Sequence, residues 1–168
     1  LRRHFHRILL YFLRLLKSSQ GTDLIYGLNL VSCGLPASLT GKKFFLRIGG
    51  DYLWERAVEA GRTKKTLREY YQNRKTLKEK FWLWPIKMIF NKADKIIFTS
   101  DFQRDIYLNA FKIKAEKTAV IKNPFPETEA VDRQLPVNRR QLLWAGRLIK
   151  LKNLDFLIKV FYKILLKT

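Results

Sequence analysis

Residues 95–124 read KIIFTSDFQRDIYLNAFKIKAEKTAVIKNP, a stretch that changes period twice. Lys95 to Ser100 is a short run of β-branched and aromatic residues, the composition of a buried strand. Ser100 stands where a helix needs its cap, with Gln103 completing an S-x-x-Q box and Phe102, Ile106 and Ala110 forming an apolar stripe. Lys117 to Pro124 is a second strand, closed by Asn123-Pro124. Strand, helix, strand is the unit from which parallel sheets are built.

The alternation continues toward the amino end. KFFLRI, residues 43–48, reads as a strand ending at Gly49-Gly50-Asp51, and LIYGLNL, residues 24–30, as a shorter one running into a turn or short helix around CGLPASL. Before them, Leu1, Phe5, Ile8, Leu9, Phe12, Leu15 and Leu16 recur at helical spacing opposite Arg2, Arg3, Arg14 and Lys17. Residues 52–90 are charged, aromatic and helical in character, with an interruption expected near Pro85. At the carboxyl side, PFPETEAVDRQLP holds three prolines among mostly polar neighbours and reads as a linker. QLLWA beyond it reads as a strand, and NLDFLIKVFYKILL as a helix with Leu154, Leu157, Ile158, Phe161 and Leu165 on one face. The expectation is an α/β protein with a parallel sheet covered on both sides, divided into residues 1–123, a linker at 124–138 and a second unit at 139–168.

With 168 residues, 47% of them hydrophobic and 14% aromatic, the chain can build a core and is no disordered tail. Its 34 Lys and Arg against 14 Asp and Glu give a net charge of +20, so its partner should be anionic: nucleic acid, phospholipid headgroups or a phosphate-bearing substrate. The single Cys33 excludes an internal disulfide, and Cys33, His4 and His6 lack zinc-ligand spacing, which suits a reducing cytoplasm. No secretory signal is recognisable, and the longest apolar run, ILLYFL, is far short of the roughly 20 residues of a spanning helix. Leu1 at the start and an unterminated amphipathic pattern at Thr168 make both ends look cut.

Between the last strand and the last helix stands Gly146-Arg147-Leu148-Ile149-Lys150-Leu151-Lys152-Asn153. Ligands of open α/β sheets bind beyond the carboxyl ends of the strands, where the next helix offers unpaired N–H groups and partial positive charge. Gly146 permits a close turn, and Arg147 and Lys152 add a forked donor and a point charge suited to adjacent phosphates. A solvated basic loop is the plainer reading of any one such stretch.

G-R-L-I-K-L-K-N resembles the G-R-L-x-x-x-K-G signature that opens the second domain of glycosyltransferase family 4, with Asn153 where glycine is usual. ADKIIFTSDFQRDIYLNAF is similar to the last strand and helix of that family's first domain, and KTAVIKNPFP to the strand leading into its hinge, with N-P where N-G is commoner. GLPASLTGKKFFLRIGGDYLWE is similar to the acceptor-side segment of some members. The resemblance implies a GT-B architecture: part of a Rossmann-like amino-terminal domain, the linker, and the first strand-loop-helix of the carboxyl-terminal domain. It implies retaining transfer of a sugar from a UDP- or GDP-linked donor to a glycan or lipid-linked acceptor at the cytoplasmic face of a membrane, with no metal or other cofactor. The segments that hold the donor sugar in such enzymes are missing, so the chain alone is expected to be inactive.

By the same resemblance, Gly146, Arg147 and Lys152 would bind the donor diphosphate. Arg47, Gly49, Gly50 and Glu55 are acceptor-side candidates. Asp51 stands where many members have a catalytic histidine; it binds or deprotonates the acceptor hydroxyl, or else it is a turn residue or helix cap. The basic stretch 62–87, with Tyr70, Tyr71, Trp82 and Trp84, suits an anionic membrane surface, the alternative being a solvated helical face with its aromatics turned inward. A nucleic-acid-binding module would also fit +20, but the cations are spread along the chain and no helix-turn-helix, RNP-like or zinc-finger pattern appears, so no specific nucleic acid is expected.

Overall fold

A computed structural model describes residues 2–73, 76–124 and 142–166. In chain order these form α1 (Arg2–Ser18), β1 (Leu24–Gly27), α2 (Gly34–Ser38), β2 (Lys43–Ile48), α3 (Tyr52–Glu59), α4 (Leu67–Gln72), α5 (Leu77–Lys92), β3 (Lys95–Phe98), α6 (Asp101–Phe111), β4 (Thr118–Val120) and α7 (Leu154–Leu165). The fold is α/β, with one four-stranded, all-parallel sheet in the order β1-β2-β3-β4.

Strands that follow one another across a sheet in chain order, joined by right-handed crossovers, place their helices on the same face. Phe44, Leu46 and Ile48 of β2 and Ile96 and Phe98 of β3 point to that face and are buried. There they meet Ile86, Ile89 and Phe90 of α5 and Ile106, Tyr107 and Phe111 of α6 in one core. Phe90, Phe98, Tyr107 and Phe111 stack edge to face or tilted, at centroid separations of 4.9 to 5.7 Å. Such pairs add about 0.5–1.5 kcal/mol each beyond the area they bury. Cover over the opposite face is uneven among the described residues: Ile97 of β3 is buried there, whereas β1 and β2 are open. Leu24 and Tyr26 of β1 are exposed on the other face, and Phe45 and Arg47 of β2 beside them are half-exposed.

Pro85 does not interrupt its helix. α5 runs through it for 16 residues, anchored by Ile86, Ile89 and Phe90 just beyond. The breaks fall instead before Thr66 and Thr76, each of which caps a helix reciprocally with the glutamate three residues on: Thr66 with Glu69, Thr76 with Glu79. TLRE and TLKE are capping boxes that outweigh the proline.

The stripe expected on α6 is rotated. Gln103, Ile106, Tyr107 and Phe111 are buried, whereas Phe102 and Ala110 face solvent. Ser100 caps the helix through the Gln103 N–H (3.3 Å), but the box stays half-made, since the Gln103 Oε1 is buried without a hydrogen-bond partner. Residues 142–145 of the expected strand QLLWA are not a strand; Leu143 is 93% exposed, and among the described residues no strand pairs with them. A strand needs a ladder partner to satisfy its backbone. Apart from Pro124, the linker at 124–138 lies outside the described residues.

Candidate functional site

β2 ends in Ile48-Gly49-Gly50 and turns directly into α3. A side chain at Gly49 would meet nothing, while one at Gly50 would run into the Glu55 carboxylate. That carboxylate is there because Glu55 Oε1 accepts from the Asp51 N–H (3.2 Å), while Asp51 Oδ1 accepts from the Trp54 N–H (2.6 Å). The pair forms a capping box stretched by one residue, and it fixes how the chain leaves the sheet.

Asp51 is only 3% exposed, and its second oxygen is engaged as fully as its first. Oδ2 accepts from the hydroxyls of Tyr71 (2.7 Å) and Tyr107 (2.6 Å). One carboxylate thereby ties the end of β2 to α3, α4 and α6. Burial, then the neighbouring Asp51 charge and hydrogen bond, pushes the Tyr107 phenol far above its ordinary range. Burial likewise raises Tyr71, with Tyr107 and Asp51 adding to it. Both phenols therefore stay protonated donors. Of the two roles open to Asp51, this geometry is that of the cap: a carboxylate already accepting from one N–H and two hydroxyls has no oxygen turned to solvent for an acceptor's proton.

Arg47 reaches from β2 across the carboxyl edge of the sheet. Its Nη2 donates to Asn123 Oδ1 (2.9 Å) and to the Ile121 carbonyl (3.3 Å), strapping β2 to the chain that leaves β4. Arg47, Gly49, Gly50 and Glu55 thus gather at one edge, together with the Ser100 cap of α6 and Asn123, which only the fold brings there. This is the edge at which parallel sheets bind ligands.

The stretch Gly146–Asn153 packs elsewhere. Lys150–Lys152 form a 3-10 turn lying against α3, with the Leu151 N–H donating to Glu59 Oε1 (3.1 Å). Glu59 is the last residue of α3, about two turns from Asp51 along the helix. The turn within the candidate diphosphate stretch therefore rests at the carboxyl end of α3, whereas Gly49, Gly50 and Asp51 lead into its amino end. Arg147 and Lys152 are solvent-exposed beside the start of α7. Asn153 begins α7 with φ 48°, and its side chain makes no cap bond. Asn is one of the few non-glycine residues that enters the left-handed region readily, which explains how it can start the helix here.

Compared with known protein families and with curated proteins, the chain matches none.

Of the two readings open to Tyr70 and Tyr71, a membrane surface or a helical face with its aromatics turned inward, the geometry is that of the second. Tyr70 is buried and donates to Glu79 Oε1 (2.5 Å), and Tyr71 is held on Asp51. Trp84 is exposed, as an interfacial residue would be, and the Trp82 side chain lies outside the described ones. No helix among the described residues is long and apolar enough to cross a membrane.

Proposed function

We propose that the chain forms part of a retaining glycosyltransferase of the GT-B kind, in which a nucleotide-diphosphate sugar donates to a glycan or lipid-linked acceptor. The observation that carries this reading is the pairing of an all-parallel sheet, whose β2 ends in an open Gly49-Gly50 turn, with a separate G-R-L-x-x-x-K segment opening a helix through a left-handed Asn153. As the bond between sugar and diphosphate breaks, negative charge gathers on the leaving phosphate. Arg147 would bracket it with two parallel N–H donors and Lys152 would add a point charge. Loss of one such donor costs about 3–4 kcal/mol in comparable oxyanion sites. Arg47, Gly49, Gly50 and Glu55 line the acceptor side in this reading, with Asp51 holding their backbone in place from beneath. The enzyme would work at the cytoplasmic face of a membrane.

The test is titration of the chain with UDP and with GDP, followed by the NMR shifts of backbone amides. Saturable shifts at residues 146–155 that vanish in Arg147→Ala with Lys152→Ala support the reading. Shifts that spare residues 146–155, or that persist in the double variant, overturn it, and salt-dependent binding of duplex DNA by the same sample with no response to UDP or GDP would favour a basic nucleic-acid module instead.

A further inference from the structure

α5 is apolar on two opposite sides. Its inner side, Ile86, Ile89 and Phe90, is buried in the core. Its outer side carries Leu77, Phe81 and Trp84 at i, i+4 and i+7, and these are 85%, 75% and 72% exposed. Three large apolar side chains aligned along one helix and turned outward cost solubility, and contiguous apolar surface of this kind marks a contact site. Lys80 and Lys87, one turn off the stripe on the same flank, are exposed as well.

The stripe borders a built cleft. Phe81 forms part of the wall of a cavity of about 260 Å³ between α3 and α5, whose other walls include Tyr52, Arg56, Arg62 and Glu79. Arg56 donates to the Tyr52 hydroxyl (2.6 Å), and Arg62 reaches the Arg56 carbonyl (3.4 Å), so the two guanidiniums are drawn to one side of it. The Glu79 carboxylate, the acidic group in the wall, is turned to the Thr76 N–H and hydroxyl and to Tyr70.

We infer that the outer stripe of α5 docks on an anionic phospholipid bilayer, with Leu77, Phe81 and Trp84 sinking to the level of the headgroups and Lys80, Lys87, Arg56 and Arg62 facing lipid phosphates. Charge complementarity selects this occupant. A protein partner would need an acidic apolar surface of matching shape, and a nucleic acid offers nothing for exposed leucine and phenylalanine beyond single-strand stacking. A bilayer offers an apolar layer beneath a layer of negative charge, in the order that the stripe and its cations present. Tryptophan is also the side chain most at home at that boundary. The inference deepens the membrane partner of the transferase reading without using sugar transfer, and vesicle binding needs no nucleotide sugar, so either can fail alone.

The experiment is co-sedimentation of the full chain with vesicles of phosphatidylcholine, pure or doped with phosphatidylglycerol, at physiological salt. The doped vesicles are expected to bind the chain and the pure ones to bind it far less. Lys80→Gln with Lys87→Gln should weaken binding roughly thirtyfold, as expected for two cations near an anionic surface. Leu77→Ser with Trp84→Ser should weaken it by about tenfold or more on the same vesicles. Since both stripe residues are exposed, the variants should keep the wild-type circular dichroism and unfolding midpoint, which separates lost docking from lost folding. No binding to doped vesicles, binding indifferent to the stripe, or duplex DNA binding that fully displaces the vesicles would each overturn the inference.

Discussion

Replacing Asp51 with alanine is the sharpest perturbation that the structure offers, because one carboxylate serves three donors. The Trp54 N–H loses its cap, a change that costs about 1 kcal/mol at comparable helix starts. The hydroxyls of Tyr71 and Tyr107 lose their acceptor in a setting where Tyr107 is wholly buried. Each buried hydroxyl left unpaired costs about 1–3 kcal/mol. The expected loss is therefore about 3–7 kcal/mol, a large share of the roughly 5–15 kcal/mol that holds a domain of ordinary size. Equilibrium urea unfolding, followed by far-ultraviolet circular dichroism, reads it as a lower midpoint at unchanged slope. Tyr107→Phe alone should cost about 1–2 kcal/mol. The two changes together should cost less than their sum, since phenylalanine leaves no orphan hydroxyl facing the shortened side chain. A loss under about 1 kcal/mol for Asp51→Ala, or strict additivity in the double variant, would refute the network as the clamp at this sheet edge.

The same phenols predict a pH dependence. Their folded-state values lie above the ordinary 10.0, so their contribution is complete below pH 10.0 and is lost as the pH rises beyond it, where tyrosines of the unfolded chain give up protons that the folded chain retains. Urea midpoints measured from neutral to alkaline pH should fall above that point, and Tyr107→Phe should flatten the fall. At Asn153, with φ 48°, alanine should cost about 1 kcal/mol and glycine little, a ranking that thermal unfolding can check. A Cβ at Gly27 would stand 2.9 Å from the buried Phe44 ring, so Gly27→Ala should destabilise by about 1–3 kcal/mol, read by the same urea titration. Glu59→Ala removes the acceptor of the Leu151 N–H and should raise amide exchange at Leu151 while leaving the β2 and β3 amides protected.

Much of the fold was legible because its signals are local. The runs LIYG, KFFLRI, KIIF and TAV are short and apolar, and each is followed or preceded by a glycine, cap or turn residue that ends it. Strand identity needs no more than that. The failures came where a distant partner decides. QLLWA has the composition of a strand, yet among the described residues nothing lies beside it to pair with. Phe102 and Ala110 matched an apolar spacing on α6, but the sheet sits one position around the helix, under Gln103 and Tyr107. Pro85 looked like a break, and three core side chains just beyond it hold the helix together.

The site was legible by type and illegible by connection, and Asp51 shows why. A glycine pair followed by aspartate at a strand end announces a turn and a cap, and both are present. What makes the carboxylate inaccessible are hydroxyls 20 and 56 residues further along the chain, for which no spacing rule exists. The same reasoning separates the two ends of α3. Its amino end is clamped by charge and burial and can present Gly49 and Gly50 rigidly. Its carboxyl end holds the Gly146–Asn153 stretch mainly through a turn resting on Glu59. A site that needs both ends at once would have to move the weakly held one, since shifting the other would break a buried carboxylate's three hydrogen bonds. If a nucleotide engages Arg147 and Lys152, then, the Leu151 to Glu59 bond is the contact expected to yield, and exchange at the Leu151 amide should rise on UDP or GDP binding while the Trp54 amide stays protected.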